Sequence, residues 1–183
     1  MYPFLRLATG LVRATRQPRL GPFDPHVSTH LCWPWDLDPW RELNNGRTLT
    51  LYDLGRSPLA VRSGLSAALR ANRWGMTVAG SSVRYRRRVR MFDRVTMVSR
   101  LLGWDARFLY LDQTMWKGAD CTSQALIRSA VTSSSGIVPP AEVARALGHA
   151  GNSPALPGWV LAWSEAEAHR PWPPEAARFV CPE

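Results

Sequence analysis

Residues 36–56 read DLDPWRELNNGRTLTLYDLGR, and no other part of the sequence concentrates as many polar groups at one junction. Asp36 and Asp38 follow a strand-like segment, 26–35, and Asn44-Asn45-Gly46 precedes a run with helical character. The pattern predicts a strand, a short polar loop and a helix from about residue 47 to 72. Pro58 follows a serine inside that run, as at an N-cap and first turn, so the helix is predicted to be kinked or in two parts.

Composition limits the classes of partner. The chain has 183 residues and a formal charge of +9, and apart from Lys117 its basic residues are all arginines. Such a charge favours an anionic partner. The candidates are nucleic acid, an acidic membrane surface and a phosphorylated ligand. Cys32, Cys121 and Cys181 have neither metal-ligand nor disulfide spacing, which predicts a reducing compartment and no metal site. No run reaches the roughly 18 apolar residues that span a bilayer, so we expect a cytoplasmic protein without stable membrane insertion.

The chain is predicted to consist of three parts. Residues 1–25 form a basic arm, with four arginines and no acidic residue in the first 20. This composition overlaps that of a mitochondrial presequence or an interfacial helix, so organelle targeting or peripheral membrane association stays open. The simpler interpretation is an arm that packs Leu5, Leu11 and Val12 against the body. Residues 26–150 form one domain, and residues 151–183, rich in proline and tryptophan, form an extension that wraps its surface.

The periodicity changes after the helix. Alternation over 77–90 predicts a strand, and three further strands follow within 94–136, with turns at 103–105 and 117–120. A short helix is predicted near Pro140. One strand, a long helix and four strands in an antiparallel meander predict an α+β protein with a hotdog fold, in which a curved antiparallel sheet wraps a long central helix.

The junction resembles that of hotdog-fold acyl-CoA thioesterases of the 4-hydroxybenzoyl-CoA thioesterase type. The resemblance rests on Asp36-Leu37-Asp38 followed by Asn44-Asn45-Gly46, and further on GSSVRYRRRV, LLGWDARFLYLDQTMW and ALIRSAV. The chain most resembles the thioesterase-like subgroup with Glu-x-Asn-Asn-Gly-Arg at the junction. The resemblance covers about residues 26–150. It implies a homodimer that hydrolyses acyl-CoA or a related acyl thioester without a metal or redox cofactor. Arg41-Glu42 stands where the better-known pattern has Gly-His.

The resemblance also implies a catalytic carboxylate. Asp38 matches the family's general base or nucleophile, and Asp53, inside the helix, and Glu42 are the second and third candidates. Thioester hydrolysis requires activated water or a carboxylate nucleophile beside a polarised carbonyl. The amides at a helix N-terminus suit the thioester oxygen, which assigns Asn44, Asn45 and Gly46 to substrate binding. Capping of the loop and helix by Asp36, Asp38 and Asn44 is the alternative.

The arginine-rich stretch RYRRRVR has two functional interpretations besides a solvated face. Strand alternation places Arg84, Arg86, Arg88 and Arg90 on one face. We expect Arg84, Arg86 and Arg88 to hold coenzyme A phosphates. Nucleic-acid binding is disfavoured because the stretch lacks interleaved exposed aromatics. A non-catalytic hotdog module that binds an acyl ligand or assists assembly is the main alternative to an enzyme.

Overall fold

A computed structural model describes residues 2–149 and 151–176. The helices are α1 (Phe4–Thr15), α2 (Asn45–Arg62), α3 (Leu65–Ala71), α4 (Pro140–Ala146) and α5 (Gly158–Ala168), with a 3₁₀ helix at Pro34–Asp36. The strands are β1 (His26–Leu31), β2 (Gly75–Tyr85), β3 (Arg94–Trp104), β4 (Leu109–Lys117), β5 (Asp120–Ser133) and β6 (Gly136–Val138).

The strands form one curled antiparallel sheet in the order β1-β3-β4-β5-β2, with β6 paired to β5. The predicted meander is correct for β3, β4 and β5 but wrong for β2, which lies beside β5 at the far edge. The connection 86–93 crosses one end of the sheet. The Arg86 and Arg87 amides donate to the Thr122 carbonyl, and the Phe92 amide donates to the Cys32 carbonyl. These long-range contacts separate β2 from β3.

Helix α2 lies on the inner face of the sheet. Its buried residues Leu51, Tyr52 and Leu59 belong to the main core, which also contains buried residues of β3, β4, β5 and β6. Gly55 permits this close packing, because a Cβ there would overlap the Met97 sulfur of β3. Burial of this helix therefore depends on a glycine at the crossing.

The predicted break at Pro58 is wrong. Helix α2 continues through Pro58, whose ring packs against Gly10 of α1. A proline in a helix removes one intrahelical hydrogen bond, but packing between α1 and the sheet holds the helix here. The break falls instead at Gly64, where a φ of 82° ends α2 and starts α3. Glycine tolerates this left-handed conformation without a Cβ penalty.

Helix α1 packs on α2, but the predicted contact residues are partly wrong. Leu5 and Val12 are 84% and 51% exposed, whereas Leu7 and Ala14 face the body. Arg6 anchors the helix by donating to the Leu31 carbonyl and to the buried carboxylate of Asp36.

The segment after residue 150 adds a helix that the sequence did not predict. Val160 of α5 is fully buried against Tyr110 and Leu126 on the outer face of the sheet. The Arg128 guanidinium lies 5.0 Å from the centroid of the Trp163 ring of α5. The sheet is thus covered on both faces at this end. No helix among the described residues is long and apolar enough to cross a membrane.

Candidate active site

Asp36 is a structural carboxylate. It is 2% exposed, and its Oδ2 accepts from Arg6 Nη1 at 2.8 Å and from the Trp33 amide at 3.1 Å. Its Oδ1 lies 3.5 Å from Arg47 Nε at the start of α2, and its carbonyl accepts from the Asn44 amide. One buried side chain therefore joins α1, the 3₁₀ helix and α2.

Asp38 has one oxygen occupied and one oxygen open. Oδ1 accepts from the amides of Trp40 at 2.9 Å and Glu42 at 3.2 Å, which closes the loop 38–42. Oδ2 forms no hydrogen bond with any described residue. The carboxylate is therefore held in a fixed orientation by one oxygen and retains an acceptor on the other.

The start of α2 is capped by Asn44. Its Oδ1 accepts from the Gly46 amide at 2.9 Å and the Arg47 amide at 3.2 Å. Asn44 is thus a capping residue in this structure, and the Gly46 amide is already engaged. The Asn45 amide has no acceptor in the described part of the chain. Of the predicted amide donors at Asn45 and Gly46, this one is the available group.

Asp38 and Asn45 line the same cleft, whose volume is about 390 Å³. The cleft lies between the junction loop, the first turn of α2 and the end of β2. Its other polar lining residues are Glu42, Thr48, Tyr85, Arg86, Arg87, Arg88, Thr122 and Ser123. Trp40, Leu43 and Val89 add apolar surface. The arrangement brings a carboxylate, a helix N-terminus and several guanidinium groups to one opening.

Contrary to the prediction from the sequence, the arginines of the stretch RYRRRVR do not lie on one face of a strand. Strand β2 ends at Tyr85, so strand alternation does not extend to Arg86 and Arg88. These two residues line the cleft, whereas Arg84 is exposed on β2 outside it. Arg88 Nε lies 3.2 Å from Glu42 Oε1, so this third candidate carboxylate is paired.

Asp53 does not join Asp38 within one chain. It lies eight residues beyond Asn45 on α2, about 12 Å along the helix axis. It pairs with Arg56, and it is absent from the lining of the cleft. Burial lowers the pKa of Arg56, against the opposing effect of the Asp53 charge.

The histidines lie away from this cleft. Burial lowers the pKa of His26 to about 4, with the Arg62 charge acting in the same direction. His26 Nδ1 lies 3.0 Å from Arg62 Nη1, which requires an unprotonated nitrogen. His30 also has a pKa lowered to about 4, by burial first and then by Arg6. Both rings are therefore neutral at pH 7.

A buried polar network behind the cleft was not predicted. Tyr52 hydroxyl and Ser123 Oγ are 2.8 Å apart, and Ser123 lines the cleft. Gln113, fully buried, donates from Nε2 to the Tyr52 carbonyl at 2.8 Å and to Ser99 Oγ at 2.7 Å. Its Oε1 accepts from Arg56 at 3.1 Å. The only signal in the sequence was a glutamine inside the apolar strand LYLDQTMW.

Among the described residues, no group of three His, Cys, Asp or Glu side chains is placed to hold a metal ion. Cys32 and Cys121 are free thiols, and burial raises the pKa of Cys32 to about 11. Cys181 lies outside the described residues.

Sequence comparisons identify relatives. The model of the thioesterase-like superfamily matches residues 32–163. Protein THEM6 of Xenopus laevis is 33% identical over 111 residues, which are 60% of this chain and 54% of that protein. Protein THEM6 of Drosophila melanogaster is 36% identical over 84 residues, 45% of this chain and 44% of that protein. The chain thus spans about half the length of the curated relatives it matches.

Solved structures with this fold are also found. YbaW, a probable thioesterase from Escherichia coli, has a TM-score of 0.63 at 19% identity over 68% of this chain and 97% of its own. SAV2348 from Staphylococcus aureus, in complex with CoA, has a TM-score of 0.60 at 10% identity over 78% and 95%. A 1,4-dihydroxy-2-naphthoyl-CoA thioesterase from Synechocystis has a TM-score of 0.59 at 9% identity over 68% and 95%. These matches confirm the hotdog fold.

Proposed function

Because the chain belongs to the thioesterase-like superfamily, we propose that it hydrolyses the thioester bond of an acyl-CoA or a related acyl thioester. Family membership and fold support thioester hydrolysis in general. The observation that carries the specific proposal lies in the cleft: neither Asp38 Oδ2 nor the Asn45 amide has a hydrogen-bond partner among the residues that the structure describes.

In the proposed reaction Asp38 acts as general base. Its carboxylate takes a proton from water, and the oxygen of that water attacks the thioester carbonyl carbon. The Asn45 amide and the positive end of the α2 dipole stabilise the negative charge on the carbonyl oxygen. Collapse of the tetrahedral intermediate breaks the carbon–sulfur bond, and the departing thiolate receives the proton. Direct attack by Asp38 on the carbonyl carbon is the alternative use of the same carboxylate.

Coenzyme A suits the charge of the cleft. Arg86 and Arg87 have no carboxylate within 4 Å among the described residues, so their guanidinium groups are available to phosphates. Arg88 forms an ion pair with Glu42, and Arg84 lies outside the cleft. Arg86 and Arg87 are therefore the stronger phosphate ligands in this proposal. The CoA complex of SAV2348 supports this choice of carrier by likeness of fold alone.

We further propose a homodimer, located in the cytoplasm, that forms through the free edge of β2. This strand has 11 residues, and Met76 and Val78 on it are 37% and 46% exposed. Its second edge has no partner among the described residues, and α2 packs on β1 and β3 instead of covering it. Long exposed edges are normally protected. In such a dimer Asp53 of one protomer is the candidate to approach the cleft of the other.

The alternative is a non-catalytic hotdog module that binds an acyl ligand. It is favoured by the capping bonds of Asp38, whose Oδ1 closes its own loop, and by the pairing of Glu42 with Arg88. In that case the cleft binds the thioester but does not cleave it.

A panel of acyl-CoA substrates of increasing chain length distinguishes the two functions. Thiol release is measured for each substrate, and binding is measured by calorimetry in parallel. Enzymatic turnover with a preferred chain length supports the proposal. Saturable binding without thiol release across the whole panel supports the binding module and contradicts hydrolysis.

A further inference from the structure

Large apolar side chains are exposed at one end of the sheet. Strand β1 runs antiparallel to β3 with Leu31 opposite Arg94, so the end of β1 and the start of β3 meet there. The Trp33 and Trp35 rings stack at 5.1 Å, and the Phe92 ring lies edge-on to Trp33 at 6.4 Å. Trp35 and Phe92 are nevertheless 61% and 56% exposed. The neighbouring Met91 is 47% exposed.

The first turn of helix α1 lies near this surface. Arg6 reaches the Leu31 carbonyl and Asp36, which places the first turn of α1 beside the stacked tryptophans. Phe4 and Leu5, next to Arg6 in the chain, are 68% and 84% exposed. We call the surface formed by Trp35, Met91 and Phe92 the aromatic tip. A cluster of large apolar side chains exposed together marks an interaction site.

The charge around the aromatic tip is positive. Arg41, Arg90 and Arg94 are exposed there, and none has a carboxylate within 4 Å among the residues that the structure describes. The acidic neighbours are already neutralised, Asp36 by two arginines and Asp93 by Lys117 at 2.7 Å. The tip therefore combines exposed aromatic rings with unpaired guanidinium groups.

We propose that the aromatic tip docks the protein on the surface of an anionic phospholipid bilayer. Tryptophan and phenylalanine side chains partition into the interfacial region, and arginines attract anionic headgroups. A protein partner would have to present a matched acidic and apolar surface, whereas an anionic bilayer supplies both properties over any area. This proposal does not depend on thioester hydrolysis.

The position of the tip gives the docking a consequence. The 3₁₀ helix that carries Trp35 leads directly to Asp38, and Trp40, which is 78% exposed, lines the cleft. Strand β2 also ends at this end of the sheet, because Tyr85 pairs with Ser123 near the start of β5. The cleft therefore opens at the end of the molecule that meets the bilayer, so that apolar ligands can pass between membrane and cleft.

Co-sedimentation with vesicles tests the proposal on the full chain. The vesicles consist of phosphatidylcholine alone or of phosphatidylcholine with phosphatidylglycerol. We expect the wild type to sediment with the anionic vesicles only, and its binding to fall as salt is raised. The double variant Trp35→Ala/Phe92→Ala is expected to reduce the partition coefficient at least about tenfold. Arg94→Gln is expected to reduce it about fivefold.

Matched controls come from the rest of the molecule. Trp172 is 89% exposed, and Arg107 is exposed in the turn at the opposite end of β3, so Trp172→Ala and Arg107→Gln should leave vesicle binding unchanged. Circular dichroism of each variant checks that it is folded. Quenching of tryptophan fluorescence by brominated lipid gives a second readout, which should be lost in the double variant.

Three results would overturn the proposal. The first is a wild type that fails to bind anionic vesicles. The second is a folded Trp35→Ala/Phe92→Ala variant that binds them as tightly as the wild type or the control variants do. The third is a double variant whose mass by light scattering halves while vesicle binding persists, since that assigns the tip to contact between two copies of the chain.

Discussion

Replacing Asp36 by asparagine should destabilise the protein without any direct effect on catalysis. The substitution keeps the size of the side chain and removes the charge that faces Arg6 at 2.8 Å and Arg47 at 3.5 Å. Hydrogen bonds to charged groups contribute about 1.5–3 kcal/mol each. The two arginines are 20% and 22% exposed, so solvent recovers part of that loss. Asparagine also still accepts one hydrogen bond.

The expected loss in free energy of unfolding is therefore roughly 2–4 kcal/mol. With a urea dependence of about 2 kcal/mol per molar, the unfolding midpoint falls by about 1–2 M. Urea titration followed by far-ultraviolet circular dichroism measures the change. Asp24→Asn is the matched control, because the Asp24 carboxylate accepts from the Gly21 amide at 2.7 Å in an exposed turn. A loss below about 1 kcal/mol for Asp36→Asn, or one equal to the control, would refute the structural role of Asp36.

Three further predictions concern stability. Gln113→Leu removes three hydrogen bonds, two of them buried, and should cost roughly 2–4 kcal/mol in urea unfolding. Gln124→Leu loses one hydrogen bond and should cost about 1 kcal/mol, and equal costs would contradict the network. His26 and His30 have pKa values lowered from 6.5 to about 4 in the folded state, so the unfolded chain binds more protons between these values. The contribution of the two histidines to the free energy of unfolding should therefore be fully present above pH 6.5. It should be lost as the pH falls towards 4, by up to about 3 kcal/mol per histidine. A free energy of unfolding that does not change over this pH range would contradict their burial. Gly55→Ala should lower the melting temperature because the added methyl group overlaps a methionine of β3, and an unchanged melting temperature would contradict the close packing.

Local patterns predicted much of the fold. The apolar alternation of β3, β4 and β5 and the turns between them depend on neighbouring residues, and all three strands were predicted. The placement of β2 beside β5 was missed because it depends on contacts across the end of the sheet. Local propensity alone predicts a helix start at Pro58, whereas tertiary packing carries α2 through it.

The motif located the candidate site but did not distinguish the structural carboxylate from the one that lines the cleft. Asp36 and Asp38 lie two residues apart in the sequence, and only the resemblance selects Asp38 as the catalytic candidate. Their difference arises from Arg6, 30 residues before Asp36, which pairs with the buried member. The pairing of Glu42 with Arg88 likewise joins residues that no local pattern connects. Long-range ion pairs of this kind require the folded structure.

The catalytic role of Asp38 is the central claim, and it remains a prediction. The most direct measurement is the kcat for acyl-CoA hydrolysis by Asp38→Asn, with Glu42→Gln as the matched control on the same loop. Asparagine Oδ1 can still accept the amides of Trp40 and Glu42, so the loop should persist and the unfolding midpoint should change little. A general base contributes about 10²–10⁴-fold, so kcat should fall by at least about 100-fold in Asp38→Asn and much less in Glu42→Gln. A kcat for Asp38→Asn within about threefold of the wild type would contradict the proposed mechanism.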